Sequence, residues 1–324
     1  MHPAFSVIFL TTLIGAGQGL FLALVTAEVF THIGALEPQS GSFYSSGSLL
    51  SLGLLIAGLV ASFFHLGHPE RAWRSAAMWR TSWLSREVIA LPAFMGMVFI
   101  YGLLHYLDWN PKVFGTTALP ETDLTLLVGL VGGVVCFALF TCTGMIYACL
   151  KFLQEWHTPL TPINYTLLGM SSGYTLATAF ATQYNNELTN LFGVWAIILT
   201  LAALATRSAS LIRNKRIKHR SSLQTAIGVR HGNIQQKSQG AMGGSFNTRE
   251  YFHGTTAVFL KSMKWIFLVL VFPVPVILLL VGLNSGSEMA LTLAFVFQYL
   301  GLIAERWFFF AQANHPQNLY YQTI

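Results

Sequence analysis

Between residues 64 and 87 the chain places two histidines, four arginines, two glutamates and three tryptophans in 24 positions, while elsewhere it is nearly free of charge. Histidine exchanges protons near neutrality, a carboxylate can relay them, and guanidinium groups set the field around both. Such a composition suits acid–base work on a polar group brought to this stretch. Gly67 and Pro69 end one helix, and Ser82 or Ser85 caps the next. His65 and Glu87 are therefore expected to project from two adjacent helix ends at similar depth.

The elements that must hold those ends are membrane-embedded by composition. Of 324 residues, 54% are hydrophobic and 9% charged, whereas in soluble domains about a quarter are charged. The three cysteines, Cys136, Cys142 and Cys149, share one apolar stretch without a CxxC pair, which excludes a disulfide framework and a four-thiolate metal site. No Walker loop or dinucleotide fingerprint appears. About 20 apolar residues suffice to cross the hydrocarbon as a helix, and eight such stretches are expected, at residues 5–33, 44–66, 83–106, 124–150, 160–184, 188–211, 265–283 and 289–310. The expected fold is an all-α integral membrane protein, one membrane domain over residues 1–324 with a basic loop at 207–264. The first stretch lacks a basic leader and is too long for a signal-peptide core, so it is expected to be retained.

With eight crossings both termini share one face, face A, together with the second, fourth and sixth loops. Face A then collects 17 of the 18 lysines and arginines: Arg71, Arg74, Arg80, Arg86, Lys151, eleven between Arg207 and Lys264, and Arg306. Face B has Lys112. The positive-inside rule assigns face A, and with it both termini, to the cytoplasm. The sixth loop, whose single acid is Glu250, reads as a solvated orientation signal lying against anionic headgroups, with docking of a soluble partner as the sharper alternative. Nothing in it resembles a nucleic-acid recognition element.

The run from His65 to Arg71 (HLGHPER), the following WRTSWLSRE, the segment MIYACLKFLQEW from Met145 to Trp156 and the stretch from Leu160 to Tyr174 resemble the DMSO-reductase-type membrane anchor subunits, relatives of the polysulfide and nitrite reductase anchors. The resemblance implies a multi-pass subunit of a bacterial inner membrane. It implies a soluble molybdopterin catalytic subunit and a four-cluster [4Fe-4S] iron–sulfur subunit as partners. It also implies exchange of electrons with a quinone, ubiquinone or menaquinone, and neither haem nor cluster in this chain. Family anchors turn the histidine loop towards the iron–sulfur partner, so both partners are expected on the cytoplasmic face. The DMSO reductases proper usually work on the opposite face. A cytoplasm-facing member looks more like the anchor of a membrane-bound sulfite dehydrogenase, carrying electrons from sulfite to quinone. An anchor of a DMSO-type reductase, oxidising quinol, uses the same parts in reverse.

Reduction of a quinone puts two electrons and two protons on carbonyl oxygens, which calls for a hydrogen-bond donor that can be reprotonated. Within the resemblance His65 is expected to contact the carbonyl, Glu87 to relay protons to bulk solvent, and Arg86 or Arg71 to position both electrostatically. Ser85, Gln18 and Tyr147 complete the expected quinone-binding set. Gln18 sits in a run with Gly15, Gly17 and Gly19 that permits close helix approach, and Tyr147 lies near the face A end of the fourth span, where the family places a tyrosine by the headgroup. Trp73, Trp79 and Trp83 read first as interfacial belt residues, and His68 as structural. No metal site is expected; His32 and His105, both near face B, read as rim histidines and not as haem ligands. Glu28 reads as a helix-packing or water-cavity residue, and Glu305 with Arg306 as rim charges that snorkel.

Two readings of other classes compete. A secondary transporter is disfavoured because Pro273 and Pro275 interrupt one late span with no counterpart in the first half. A passive anchor would tether enzyme subunits without touching quinone.

Overall fold

Backbone amides in hydrocarbon have no water to bond, so long apolar runs fold into helices that satisfy themselves. The computed structural model describes residues 1–116, 119–218, 222–235 and 252–316. Its helices are α1 (Phe5–His32), α2 (Gly41–Phe63), α3 (Trp83–Tyr106), α4 (Leu124–Ala148), α5 (Leu160–Ala181), α6 (Asn186–Lys215), the short α7 (Leu223–Ile227), α8 (Ala257–Val271), α9 (Pro273–Ser285) and α10 (Glu288–Ala311). A 3-10 segment, Pro69–Met78, lies between α2 and α3. An antiparallel hairpin, β1 (Lys112–Thr116) with β2 (Leu119–Asp123), joins α3 to α4. Helix starts carry side-chain caps: Ser40, Ser82, Asn185, Thr256 and Ser287 each accept a backbone N–H of the first turn. Of the two serines able to cap α3, Ser82 does so.

Several boundaries differ from expectation, the late span beginning at Ala257 and α2 covering Gly41–Phe63, and two differences have a clear physical reason. The span expected at 265–283 is two helices, because Pro273 has no N–H to continue the ladder and the chain breaks at Phe272. Helix α6 runs on to Lys215, so the start of the segment expected as basic loop is helical; Arg207 is neutralised inside the bundle, as described below. Residues 219–221 and 236–251 of that segment lie outside the described residues.

Among the described residues, seven helical stretches are long and apolar enough to cross a membrane: α1, α2, α3, α4, α6, α8 with α9, and α10. Helix α5 is of similar length but rich in threonine and serine. It packs against α1, α4, α6 and α10, and its hydroxyls bond back to their own helix, Thr166 to the carbonyl of Pro162 at 3.0 Å, and Thr175 to Ser171 and Thr178 to Tyr174 at 2.8 Å each. Polar side chains satisfied in this way can be buried without a lipid-facing apolar surface. Where α1 crosses α5 the glycines meet backbone to backbone. A Cβ at Gly19 would lie 2.5 Å from the Gly169 carbonyl oxygen, and one at Gly173 would strike the Gly19 backbone.

Side-chain contacts define the two ends of the bundle. At end A the Met1 ammonium donates to the Ala313 carbonyl at 2.9 Å, Trp156 Nε1 donates to the Phe309 carbonyl at 3.0 Å, and Arg213 clamps the carbonyls of Gln154 and His157 at 3.0 and 3.2 Å. At end B the start of α2 abuts the end of α3, and Asn110 Oδ1 accepts the Thr125 amide at 3.1 Å. A long apolar core runs through α1 to α6. A second core, dominated by Trp156, Tyr165, Phe267, Trp307, Phe308, Phe309 and Phe310, fills end A.

Candidate functional site

The polar stretch of residues 64–87 lies between α2 and α3, and most of it faces outward. His65 is exposed just beyond α2, with partial burial pushing its pKa below the ordinary histidine value of 6.5. His68 Nδ1 stands 3.1 Å from Glu70 Oε1, and Arg71 Nε stands 3.6 Å from the same oxygen. Three arginines lie over tryptophan rings: Arg74 over Trp73 at 5.5 Å, Arg80 over Trp79 at 5.3 Å and Arg86 over Trp83 at 4.3 Å. These pairs make a basic, aromatic rim suited to headgroups or a protein partner. Arg86 also donates to the carbonyls of Trp79 and Arg80 at 2.9 and 2.8 Å, so it ties the loop to the first turn of α3.

Glu87 points the other way. Thr143 of α4 donates to its Oε1 at 2.5 Å, and the carboxylate lines an internal cavity of about 20 Å³ together with Gln18, Thr143, Tyr165, Ser172 and Arg306. That volume suits one water with several polar partners. Gln18 is held in place by its own donation to the Cys136 carbonyl at 3.0 Å. The structure thus brings Glu87 and Gln18 together from α3 and α1. His65, Arg71, Ser85, Arg86 and Tyr147 do not line this cavity. Ser85 is buried at the start of α3, and Tyr147 sits in the aromatic core, its ring 5.5 Å from Tyr165 and 5.4 Å from Trp156.

The residues expected to snorkel do not. Glu305 and Arg306 are 0% and 3% exposed, and Arg207 joins them at 1%. Arg207 Nε is 2.7 Å from Glu305 Oε1, and Arg306 Nη1 is 3.2 Å from Glu305 Oε2. The physical reason is that opposite charges on α6 and α10 meet inside end A, where pairing lowers the cost of burial below that of reaching solvent past the aromatic core. Thr143, Tyr165 and Arg207 were not anticipated as site residues. A glutamate–arginine pair within an apolar run was the available signal, but its partner on α6 is fixed only by tertiary packing.

A second polar cluster occupies end B. Glu28 accepts from Tyr101 at 2.7 Å and from Thr125 at 2.5 Å, and His105 Nε2 stands 3.6 Å away. The His105 ring stacks on Tyr44 at 4.3 Å. A pocket of about 200 Å³, lined by Glu28, His32, His105, Asp108 and Asp123 among others, opens beside it. Among the described residues no group of three or more histidine, cysteine or carboxylate side chains has the arrangement to hold a metal ion.

A bundle of long apolar helices with an outward basic loop and an inward carboxylate at one end defines a multi-pass membrane protein, and likeness to known proteins narrows the class. Residues 1–312 match the family model of the DMSO reductase anchor subunit (DmsC), and the chain belongs to that family of membrane anchors. It is 57% identical over 324 residues to the sulfite dehydrogenase C subunit of Allochromatium vinosum, covering all of both proteins. It is 25% identical over 200 residues to an anaerobic dimethyl sulfoxide reductase chain of Haemophilus influenzae, covering 61% of this protein and 66% of that one.

Proposed function

We propose that this chain is the quinone-reactive anchor of a three-subunit molybdopterin oxidoreductase, passing electrons from an iron–sulfur partner to the quinone pool, with sulfite as the oxidised substrate. In that reaction sulfite and water give sulfate, two protons and two electrons on the catalytic subunit, and quinone takes two electrons and two protons at this one. The observation that carries the reading is the inward Glu87, which shares a small cavity with Gln18, Thr143, Tyr165 and Arg306 and stands near the start of the helix that follows the exposed loop of His65 and Arg71. The likeness over full length to a sulfite dehydrogenase subunit supports the choice of substrate.

The donor set fits a quinone at the rim and not inside. A cavity of about 150 Å³ is what holds a benzene ring, and the Glu87 cavity is about 20 Å³. The ring would therefore rest against the loop, where His65 donates to a carbonyl oxygen and Arg71 supplies positive field. Glu87 passes a proton outward, while the apolar helix surfaces take the isoprenoid tail. Bound quinone supplies the carbonyl oxygens on which electrons and protons are collected. The eight-crossing topology includes α5 as a span, supported by its length and by the contact of Met1 with Ala313. The positive-inside asymmetry supports placing end A, the loop and both partner subunits in the cytoplasm of a bacterium.

The test compares the assembled complex with His65→Ala and Glu87→Gln. Quinone-coupled turnover is expected to fall about 10²- to 10⁴-fold in each, the usual range for loss of a proton-transferring group. Co-purification of the partner subunits serves as the assembly control. Unchanged quinone-coupled turnover in both variants makes the chain a passive anchor; solute uptake by the isolated subunit makes it a transporter.

A further inference from the structure

Glu305 is one carboxylate between two guanidinium groups, and all three side chains are buried. The triad therefore leaves one positive charge in the interior of end A, where an unbalanced ion is costly. Arg306 is fixed on several sides. Glu305 holds its Nη1 at 3.2 Å, the Tyr165 ring lies under its guanidinium at 3.6 Å, and Phe309 flanks it at 5.9 Å. Arg306 also lines the small cavity, and the carboxylate that shares this cavity with it is Glu87. Thr143 orients Glu87 from the far wall.

We propose that Arg306, clamped by the Arg207–Glu305 pair, is a positioning residue that holds Glu87 as a charged carboxylate across a gap of one water. The surplus charge of the triad is thereby matched by Glu87, and Glu87 takes up and releases protons instead of remaining a neutral buried acid. Other titratable or charged groups near Glu87 are Arg86, which precedes it and turns to the loop, Cys142 and Tyr147 on α4 and Tyr165 on α5. None of them combines a fixed positive charge with a place in the cavity wall, since Arg86 is engaged by the loop carbonyls. The proposal rests on the reading of Glu87 as a proton relay only for its consequence, and not for its electrostatics.

Infrared spectra of the whole complex over a pH series test it. The carbonyl band of a protonated carboxylic acid belonging to Glu87 is identified by its loss in Glu87→Gln. In Arg306→Gln the triad becomes a neutral Arg207–Glu305 pair, and the Glu87 acid band is expected to appear at neutral pH, reporting a rise in proton affinity of about tenfold or more. Arg306→Lys should largely suppress the band again, a rescue that a merely structural role does not give. Arg306→Met, which keeps the volume of the stem, serves where Arg306→Gln does not assemble. A Glu87 band unaltered in these variants overturns the proposal. Full quinone-coupled turnover in Glu87→Gln, with the band still responding to Arg306, overturns the relay reading and leaves the positioning role standing.

Discussion

The two ends of the bundle both turn a carboxylate inward, Glu28 buried and Glu87 half-buried, yet they treat it differently. At end B, Glu28 receives a hydroxyl donor on each oxygen, from Thr125 and Tyr101, and a histidine beside it. At end A, Glu87 has a single hydroxyl donor, and the neighbouring triad carries surplus charge and keeps Arg207 Nη2 without a hydrogen-bond partner among the described residues. At end B both oxygens of Glu28 are satisfied and tie α1, α3 and α4 together, although the neighbouring His105 Nε2 is buried without a hydrogen-bond partner among the described residues. At end A the one hydroxyl donor on Glu87 leaves acceptor capacity that another molecule or a proton can use. The difference separates packing from function better than burial alone, since Glu28 and Glu305 are both buried.

The comparison breaks most visibly if the triad is cut. Glu305→Leu leaves two buried guanidinium groups unpaired and is expected to cost about 3–5 kcal/mol, read as lowered resistance to denaturant in detergent. A variant as stable as the parent would mean that water or lipid headgroups already satisfy these arginines. A smaller effect is expected at the other end. Glu28→Gln offers an amide where two hydroxyls need acceptors, and about 1–3 kcal/mol is expected to be lost with quinone-coupled turnover of the assembled complex retained. A collapse of turnover there, at unchanged stability, would move function to end B.

The smallest expected effect concerns pH. Because burial lowers the pKa of His65 in the folded protein, the unfolded chain binds its proton more readily. Stability is therefore lost as pH falls through the unfolded value of about 6.5, and His65→Gln should flatten that part of the stability curve. Identical slopes in parent and variant would show that His65 is fully hydrated.

Much of this was legible in the sequence because it is local. Apolar runs marked the helices, Ser82 was one of two serines expected to cap α3, and the glycines around Gln18 announced a close helix crossing, which proves to be with α5, whereas α2 ends at Phe63, four residues before the Gly67 expected to stop it. What stayed hidden depends on rotation about helix axes and on partners far away in the chain. Glu87 follows Arg86 by one residue, yet one side chain turns inward and the other back to the loop. Glu305 and Arg306 looked like rim charges because Arg207, nearly a hundred positions earlier, gave no sign of pairing with them. Helix α5 has the length of a span without the hydropathy, since its hydroxyls bond inwardly to their own backbone.

Gly15 and Gly169 both border the Glu87 cavity, and a Cβ on Gly15 would already touch the Gly169 Cα at 3.3 Å. Part of the cavity wall is thus main chain, which has no rotamers to fluctuate. A methyl group at either position would press on the facing helix or on the Phe140 ring, so the separation of α1 from α5 gauges the chamber beside Glu87, and its size should respond to helix displacement more than to side-chain motion.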